Sequence, residues 1–534
     1  MKRNQLNFFL TGLILFASYF QLFPQFKNIM VNNSTTFLPN EVTIAVNPTN
    51  TNYVAAGSNL NYFYMSSDGG QTWETYSMSS TLGVMGDPCV VYDAQGNLYY
   101  AHLSNPGSPG YWIDRIVVQR STNYGIKWND GIGVGFSPPV KNQDKEWLGV
   151  DMTNSIYKNN LYMAWTEFDK YNSAKQSDRT RILFSRSTNK GLIWSSPIKV
   201  SDNEGDCIDS DSTVEGAVPC TGPNGEVYLS WSGPQGIQFD KSLDGGVTFG
   251  KDVHVADLSA GWDFEIPGIY RCNGLPITAC DISNSPYKGY IYINWTDQKD
   301  GDTDVYFAKS SDGGSTWSSS KKVNNDTVKR HQFFCWMCTD PITGIIYIIY
   351  YDRRDNADPN SVQTHVYLSR STDGGETFND YKISDSQFSP LNYIFFGDYI
   401  NIAAFDGKIF PIWMRMDGQT MSVWTVPIND SEFVTAVDES ESQIITRYEL
   451  FQNYPNPFNP QTTIAYNLPV RSFVSLKIYD ISGKEIASLV NKEQEPGTYY
   501  VDFNTQDFNL VSGVYVYKIF TEKYFEAKKM IVLK

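Results

Sequence analysis

The chain is poor in histidine, sparing with cysteine and short of positive charge, and each shortage closes off a class of function. Its four histidines (102, 254, 331 and 365) are scattered, which argues against a zinc site. Seven cysteines stand at 89, 207, 220, 272, 280, 335 and 338. They form no dense disulfide framework, and an odd count leaves at least one thiol unpaired within the chain. Cys335-Trp-Met-Cys338 has metal-like spacing, but it sits in an apolar strand-like run without a second pair, so it reads as buried thiols. Lys and Arg number 42 against 58 Asp and Glu, a net charge of −16. An acidic surface repels phosphate backbones, which argues against nucleic acid as a partner. No Ser-His-Asp pattern or phosphate-binding loop stands out. Long helical periodicities are missing, and after the N-terminal stretch no apolar run is long enough to span a membrane.

What the chain does hold is aromatic residues, glycine and a repeated phrase. Tyr 35, Phe 31, Trp 13 and Gly 40 are the composition of strands and turns. The phrase reads SSDGGQTW at 66–73 and SSDGGSTW at 310–317, with looser copies at 121–128, 187–194, 242–249 and 371–378. Successive starts lie 55, 66, 55, 68 and 61 residues apart, the spacing of one small antiparallel sheet per copy. Each copy follows one strand-like run and leads into another, so it predicts a hairpin turn. The Asp or Asn accepts hydrogen bonds from the turn backbone, the Gly supplies a positive φ, and the closing Trp or Phe packs on the sheet below.

Ser-x-Asp-x-Gly-x-Thr-Trp resembles the Asp box, or BNR repeat, of sialidase-type β-propellers. Four copies keep the Asp, and two carry Asn123 and Asn189 instead. The resemblance implies a propeller fold; the box itself is a structural turn and implies no activity. From 26 to 428 the chain divides into seven related units rather than six. Their first strands fall at 42–47, 88–93, 147–151, 216–220, 275–281, 333–340 and 399–405. The seventh unit lacks a box and a fourth strand, and residues 26–32 resemble that missing strand. The N-terminal segment is therefore expected to close the last unit and remove an exposed edge. The expected fold is all-β, a seven-bladed propeller with six blades as the alternative.

At the ends, residues 1–25 read as a secretory signal, with Lys2-Arg3 before a short apolar stretch and the small residues Ala17 and Ser18. Residues 429–446 are acidic and Ser-rich, a linker. Beyond them, strands alternate with Gly and Pro turns at the spacing of an Ig-like sandwich. The motifs Asn456-Pro-Phe-Asn-Pro460, Ser512-Gly-Val-Tyr515 and Lys528-Lys-Met530 resemble the C-terminal sorting domain of type IX secretion substrates over 447–534. That implies handling by the type IX machinery, with export to the outer-membrane surface of a diderm bacterium or release from it.

In a propeller, ligands meet the face where one blade's outer strand returns to the next blade's inner strand. The side chains at unit starts are then the ones to read: Glu41, Asp87, Asp144-Lys145-Glu146, Glu215, Glu265, Arg271, His331 and Asp398-Tyr399. Sialidases place three arginines on the sugar carboxylate, each guanidinium bond being worth about 1.5–3 kcal/mol, with an Asp acid/base and a Tyr nucleophile assisted by a Glu. Their first arginine lies in a Phe/Tyr-Arg-Ile-Pro motif, and the corresponding place here reads Phe37-Leu-Pro-Asn-Glu-Val42, a departure. Arg271, Arg353 or Arg354, and Arg415 are candidates for a different cluster. Tyr351 or Tyr399 is a candidate nucleophile, and Asp87 or Glu215 a candidate acid or base. Ligand contacts are expected at Glu41, Asp87, Arg271, Arg353, Asp398 and Tyr399. Asp297, Asp300, Asp302 and Asp304 resemble part of a calcium loop, which a tight polar hairpin explains equally well. The expected function is a monomeric, exported, surface-associated module that binds glycan or protein ligands without sialidase activity. The alternatives are an exo-sialidase or other glycoside hydrolase with a rearranged site, and a structural surface protein.

Overall fold

Strands such as Leu161–Phe168 and Ile346–Asp352 are buried at every position. An apolar run without alternation requires cover on both faces, and stacked sheets supply it. The computed structural model describes residues 26–34, 39–299, 301–433, 448–453, 455–506, 508 and 510–533. The expected signal segment 1–25, Asp300 and most of the expected linker lie outside them.

Phe23–Phe433 forms one unit. Its described residues contain seven antiparallel sheets of four principal strands each: sheet 1 (43–77), sheet 2 (89–134), sheet 3 (142–199), sheet 4 (215–256), sheet 5 (277–322), sheet 6 (332–382) and sheet 7 (401–425). Sheet 7 has only three of these strands in sequence. Its fourth is the N-terminal Ile29–Ser34, paired antiparallel with Thr420–Thr425 so that Ile29 lies opposite Thr425 and Ser34 opposite Met421. The first strands of successive sheets adjoin one another, and that of sheet 7 adjoins that of sheet 1, so the order is cyclic. Residues 429–433 belong to this unit as well: Ile428–Asn429 pairs with Lys408 and Ile409, and Phe433 is fully buried against Phe26, Tyr347 and Tyr381.

The six repeated turns join third strands to fourth strands, and their chemistry is local. Asp312 accepts hydrogen bonds from the backbone N–H groups of Ser315 (3.0 Å) and Thr316 (2.9 Å) and from the hydroxyls of Ser310 (2.8 Å) and Thr316 (2.6 Å). These bonds, that of Thr316 first, hold its carboxyl below the usual range. The two Asn copies make only the carbonyl half of this set: Asn123 Oδ1 accepts the Ser121 hydroxyl and the Lys127 N–H, and Asn189 Oδ1 accepts the Ser187 hydroxyl and the Ile193 N–H. Lys127 and Ile193 offer no hydroxyl where the Asp copies have Thr, so the second oxygen would have no partner there. In the four Asp copies the second Gly is fixed by packing. Gly375 has φ +79°, and a Cβ on it would lie 2.5 Å from the Phe307 ring of the preceding sheet. The closing aromatic packs edge-on to that same ring: Trp128 on Phe63, Phe249 on Phe184, Trp317 on Phe239 and Phe378 on Phe307. One short phrase thereby ends a hairpin and fastens its sheet to the one before.

The C-terminal unit has a three-stranded sheet (Glu449–Leu450, Gln461–Leu468, Gly497–Asn504) and a four-stranded one in the order Glu485–Gln494, Ser472–Tyr479, Gly513–Phe520, Phe525–Val532. Its apolar residues alternate, and Leu476, Ile478, Tyr517, Ile519 and Met530 are fully buried between the sheets. The Asn-Pro-Phe-Asn-Pro segment ties down the last strand. Asn456 Oδ1 accepts the Ile531 N–H at 2.8 Å, and Phe458, itself buried, exchanges backbone bonds with Ile531 and Leu533. All seven cysteines are free, and burial pushes the thiols of Cys335 and Cys338 up.

Candidate functional site

One backbone device recurs where the first strands begin. Glu41 (φ 53°), Asp87 (φ 50°), Lys145 (φ 50°) and Phe334 (φ 50°) are left-handed without being glycine, and Gly216 (φ 81°) takes the same place in sheet 4. In sheets 3, 4 and 6 the residue lies in a bulge, where the register slips between Asp144 and Trp147, Glu215 and Val218, and Phe333 and Trp336. A bulge re-aims the side chains beside it. Each left-handed non-glycine costs on the order of 1–3 kcal/mol, and such strain persists where surrounding structure holds it.

What these residues do with that strain is meet. The Lys145 ammonium lies 3.3 Å from Glu41 Oε1 and 3.5 Å from Asp87 Oδ2, and it also bonds Asp398. The first strand of sheet 3 and the segments leading into sheets 1, 2 and 7 thus supply one ion cluster. Arg271, on the small hairpin Asp263–Phe264/Cys272–Asn273, reaches over it. Its Nε donates to Asp398 Oδ1 at 2.9 Å, its Nη2 pairs with the other oxygen, and its Nη1 lies 3.3 Å from Asp209. Asp209 accepts a second bond from the Tyr171 hydroxyl at 2.6 Å. Asn59 holds Glu41 from behind and accepts the Asp87 N–H at 2.7 Å.

The electrostatics follow from burial. Asp398 is desolvated, yet Lys145 and Arg271 hold its carboxyl well below the usual range. Burial alone would lower Lys145; Asp398, Asp87 and Glu41 outweigh it and raise the ammonium. The other carboxyls go the opposite way. Burial, with Asp87 beside it, pushes Asp144 up to about 8, and burial with Asp87 raises Glu41 and Glu146. Glu215 is fully buried and raised by burial and by Asp209, against which its carboxyl rests. No protein donor reaches either oxygen of Glu215 or of Glu146.

Beneath the cluster is a cavity of about 40 Å³ lined by Asp87, Glu146, Trp147, Trp336, Asp398 and Tyr399 among others. Its rings form a collar: Trp147 and Trp336 at 4.3 Å, Trp147 and Tyr399 at 5.6 Å, Trp336 and Tyr399 at 5.8 Å. Trp147 and Trp336 also wall a second cavity of about 300 Å³, lined by first strands of all seven sheets.

Glu41, Asp87, Asp398 and Arg271 are therefore brought together around Lys145, with the Tyr399 ring 5.9 Å from its ammonium and Glu215 alongside. Arg353 is not. It is buried over the Phe333 ring, donates to Pro267 O (2.7 Å) and Thr364 Oγ1 (3.2 Å), and burial lowers it to about 10. Arg354 pairs with Asp352 and Asp380, and Arg415 with Asp417. Arg271, Arg353 and Arg415 each have separate partners and form no common clamp. The Tyr351 hydroxyl is buried and donates to Met414 O at 2.7 Å. Of the expected calcium residues, Asp297 lies opposite Asp304 in the hairpin and accepts Ser259 N–H at 3.0 Å, while Asp304 takes Asn324 and Lys322. Burial, with Asp304 next to it, raises Asp302 to about 6. Among the described residues no group of three or more His, Cys, Asp or Glu is arranged to hold a metal. Sequence reasoning missed Asp209, which lies in a connecting loop with no strand signal, and the collar role of Trp147 and Trp336, whose apolar runs read only as core.

Residues 452–533 match the secretion system C-terminal sorting domain family. The chain accordingly carries a sorting domain for export by type IX secretion to the cell surface or beyond it. Among the described residues no helix is long and apolar enough to cross a membrane. No curated protein sequence matches the chain. Among solved structures, a Hadza microbial sialidase is 13% identical over 71% of this chain and 73% of its own, with a TM-score of 0.41. A polysaccharide lyase of family PL25, an ulvan lyase, is 12% identical over 75% and 96%, TM-score 0.44. The Trypanosoma rangeli sialidase is 11% identical over 86% and 85%, TM-score 0.39.

Proposed function

We propose that residues 26–433 are a seven-bladed β-propeller followed by an Ig-like sorting domain, and that the exported propeller binds glycan ligands at its Lys145 end without sialidase turnover. The cyclic order of the seven sheets supports the architecture. One observation carries the function: the Arg271 guanidinium is consumed by Asp398 and Asp209. Around it stand Glu41, Asp87, Asp144, Glu146, Asp209, Glu215 and Asp398, with only Lys145 and Arg271 opposing them. A sugar carboxylate would find the Lys145 ammonium and the Arg271 guanidinium already paired, whereas neutral hydroxyls can donate to carboxyl oxygens. The test is fluorophore release from a 4-methylumbelliferyl sialoside beside a glycan array, both with the purified chain. Binding to uncharged glycans without release supports the reading, and sialoside turnover sinks it.

A second reading, hydrolysis of an uncharged glycoside, is favoured by carboxyls held in opposite protonation states, neutral Asp144 and ionised Asp398. It requires turnover of a neutral aryl glycoside that Asp144→Asn abolishes in a folded protein.

A further inference from the structure

Next to the Lys145 end the protein displays large aromatic side chains that a folded chain would ordinarily cover. Tyr111 is 39% exposed, Trp112 43% and Phe136 44%. Tyr111 and Phe136 are nearly parallel, with centroids 6.4 Å apart. Trp112 stands edge-on to Tyr171 at 5.6 Å. Single exposed apolar residues need no explanation, but neighbouring rings on adjoining loops form a patch.

The rings are also held in place from behind. The Arg115 guanidinium lies 4.3 Å from the Phe136 centroid and is itself fixed by Asp114, which is 1% exposed and takes the Ser104 hydroxyl at 2.6 Å. Asn142 bonds the Trp112 carbonyl at 3.0 Å and accepts the Tyr171 N–H at 2.9 Å, tying the two rings to one residue. Between the displayed loop and the sheet sits Ile113, buried and left-handed at φ 43°. A β-branched residue in that conformation is an outlier, and its carbonyl is locked by Gln143 N–H at 2.7 Å. The fold therefore accepts strain to keep Tyr111 and Trp112 facing outward. Rings ordered before a ligand arrives spare it the entropy of arranging them.

We infer that Tyr111, Trp112 and Phe136 form a stacking platform for the sugar rings of a neutral polysaccharide chain. The inference rests on the glycan reading above and names its ligand class: a chain of several uncharged residues rather than a terminal acidic sugar. Two observations select that occupant. Tyr171 connects the platform to the proposed site, since it touches Trp112 and donates to Asp209, which pairs with Arg271. The flanking charges, Lys141 and Arg181 with Glu167 and Asp169, are already ion-paired with one another, so both cations are taken before a polyanion could use them.

The test is native affinity electrophoresis of the full chain in gels containing glucomannan, starch or laminarin, with alginate as the anionic counterpart. Retardation in at least one neutral gel is expected, weakened at least tenfold by Trp112→Ala and by Tyr111→Ala and largely kept by Trp112→Phe. Retardation by alginate alone, none in any gel, or a Trp112→Ala protein that binds like the parent would each overturn it. Asp87→Asn separates the two readings. Binding lost there but kept in Trp112→Ala refutes the platform and leaves the Lys145-end site standing; the converse keeps the platform and refutes that site.

Discussion

Asp144→Asn is expected to make the protein more stable in alkali. Asp144 is 7% exposed, and its Oδ1 accepts the Lys145 N–H at 2.9 Å, a bond that an Asn oxygen keeps. Burial, then Asp87, moves its carboxyl from 3.8 to about 8. The folded protein thus holds a proton that the unfolded chain releases. Stability from this group is fully present below about pH 4 and is lost as pH rises through about 8. At about 1.36 kcal/mol per pH unit the whole window is worth roughly 6 kcal/mol, and coupling of Asp144 to its charged neighbours makes about 3–6 the expected range. Asn has no proton to lose. The variant should match the parent within about 1 kcal/mol at pH 4.5 and lead it by about 3–6 kcal/mol at pH 9. Urea denaturation followed by tryptophan fluorescence reads this cleanly, because all 13 Trp lie at or before Trp424. A variant-to-parent difference that stays constant from pH 4.5 to 9, or a variant that falls behind at pH 9, refutes the account of the cluster.

Lys145→Met leaves Glu41, Asp87 and Asp398 without their shared ammonium, and should cost about 3–5 kcal/mol at pH 7. Because Asp398 is held low, that loss should shrink as pH falls below its ordinary range and the carboxyl protonates; pH-resolved urea curves check it. Gly375→Ala meets both a positive φ and the Phe307 ring, and should cost about 2–4 kcal/mol. Gly69→Ala, also left-handed but with no neighbour nearer than 3.9 Å, should cost only about 1–2 kcal/mol in the same assay. Deleting 448–534 should abolish export while the tryptophan-monitored transition of the remainder is unchanged; secretion despite the deletion would contradict the assignment of the sorting domain.

Much of the molecule is local, and what is local was legible. Ser310, Asp312, Gly314 and Thr316 close their turn with bonds among themselves, so eight residues of sequence suffice to announce it. The same holds for the strand alternation and the Asn-Pro-Phe-Asn-Pro strap of the C-terminal unit. Even the N-terminal strand of sheet 7 could be inferred, because a unit one strand short leaves an edge that must be filled. Unit starts were recognisable as the places to look, since chain order alone puts Glu41, Asp87, Lys145 and Asp398 at the same end of successive sheets.

Which of those residues touch was decided only by tertiary structure. Lys145 and Asp398 are 253 residues apart, and Arg271 finds Asp398 across 127. The left-handed turns that aim Glu41, Asp87 and Lys145 are disfavoured by local preference and persist because the surrounding structure holds them. Protonation follows the same rule. Asp144 and Asp398 are the same residue type with the same intrinsic acidity, and one is neutral at pH 7 while the other is charged, because burial without a paired cation raises a carboxyl and two adjacent cations lower it. Sequence set the inventory of charges at the end of the sheets; three-dimensional proximity set which of them carry charge.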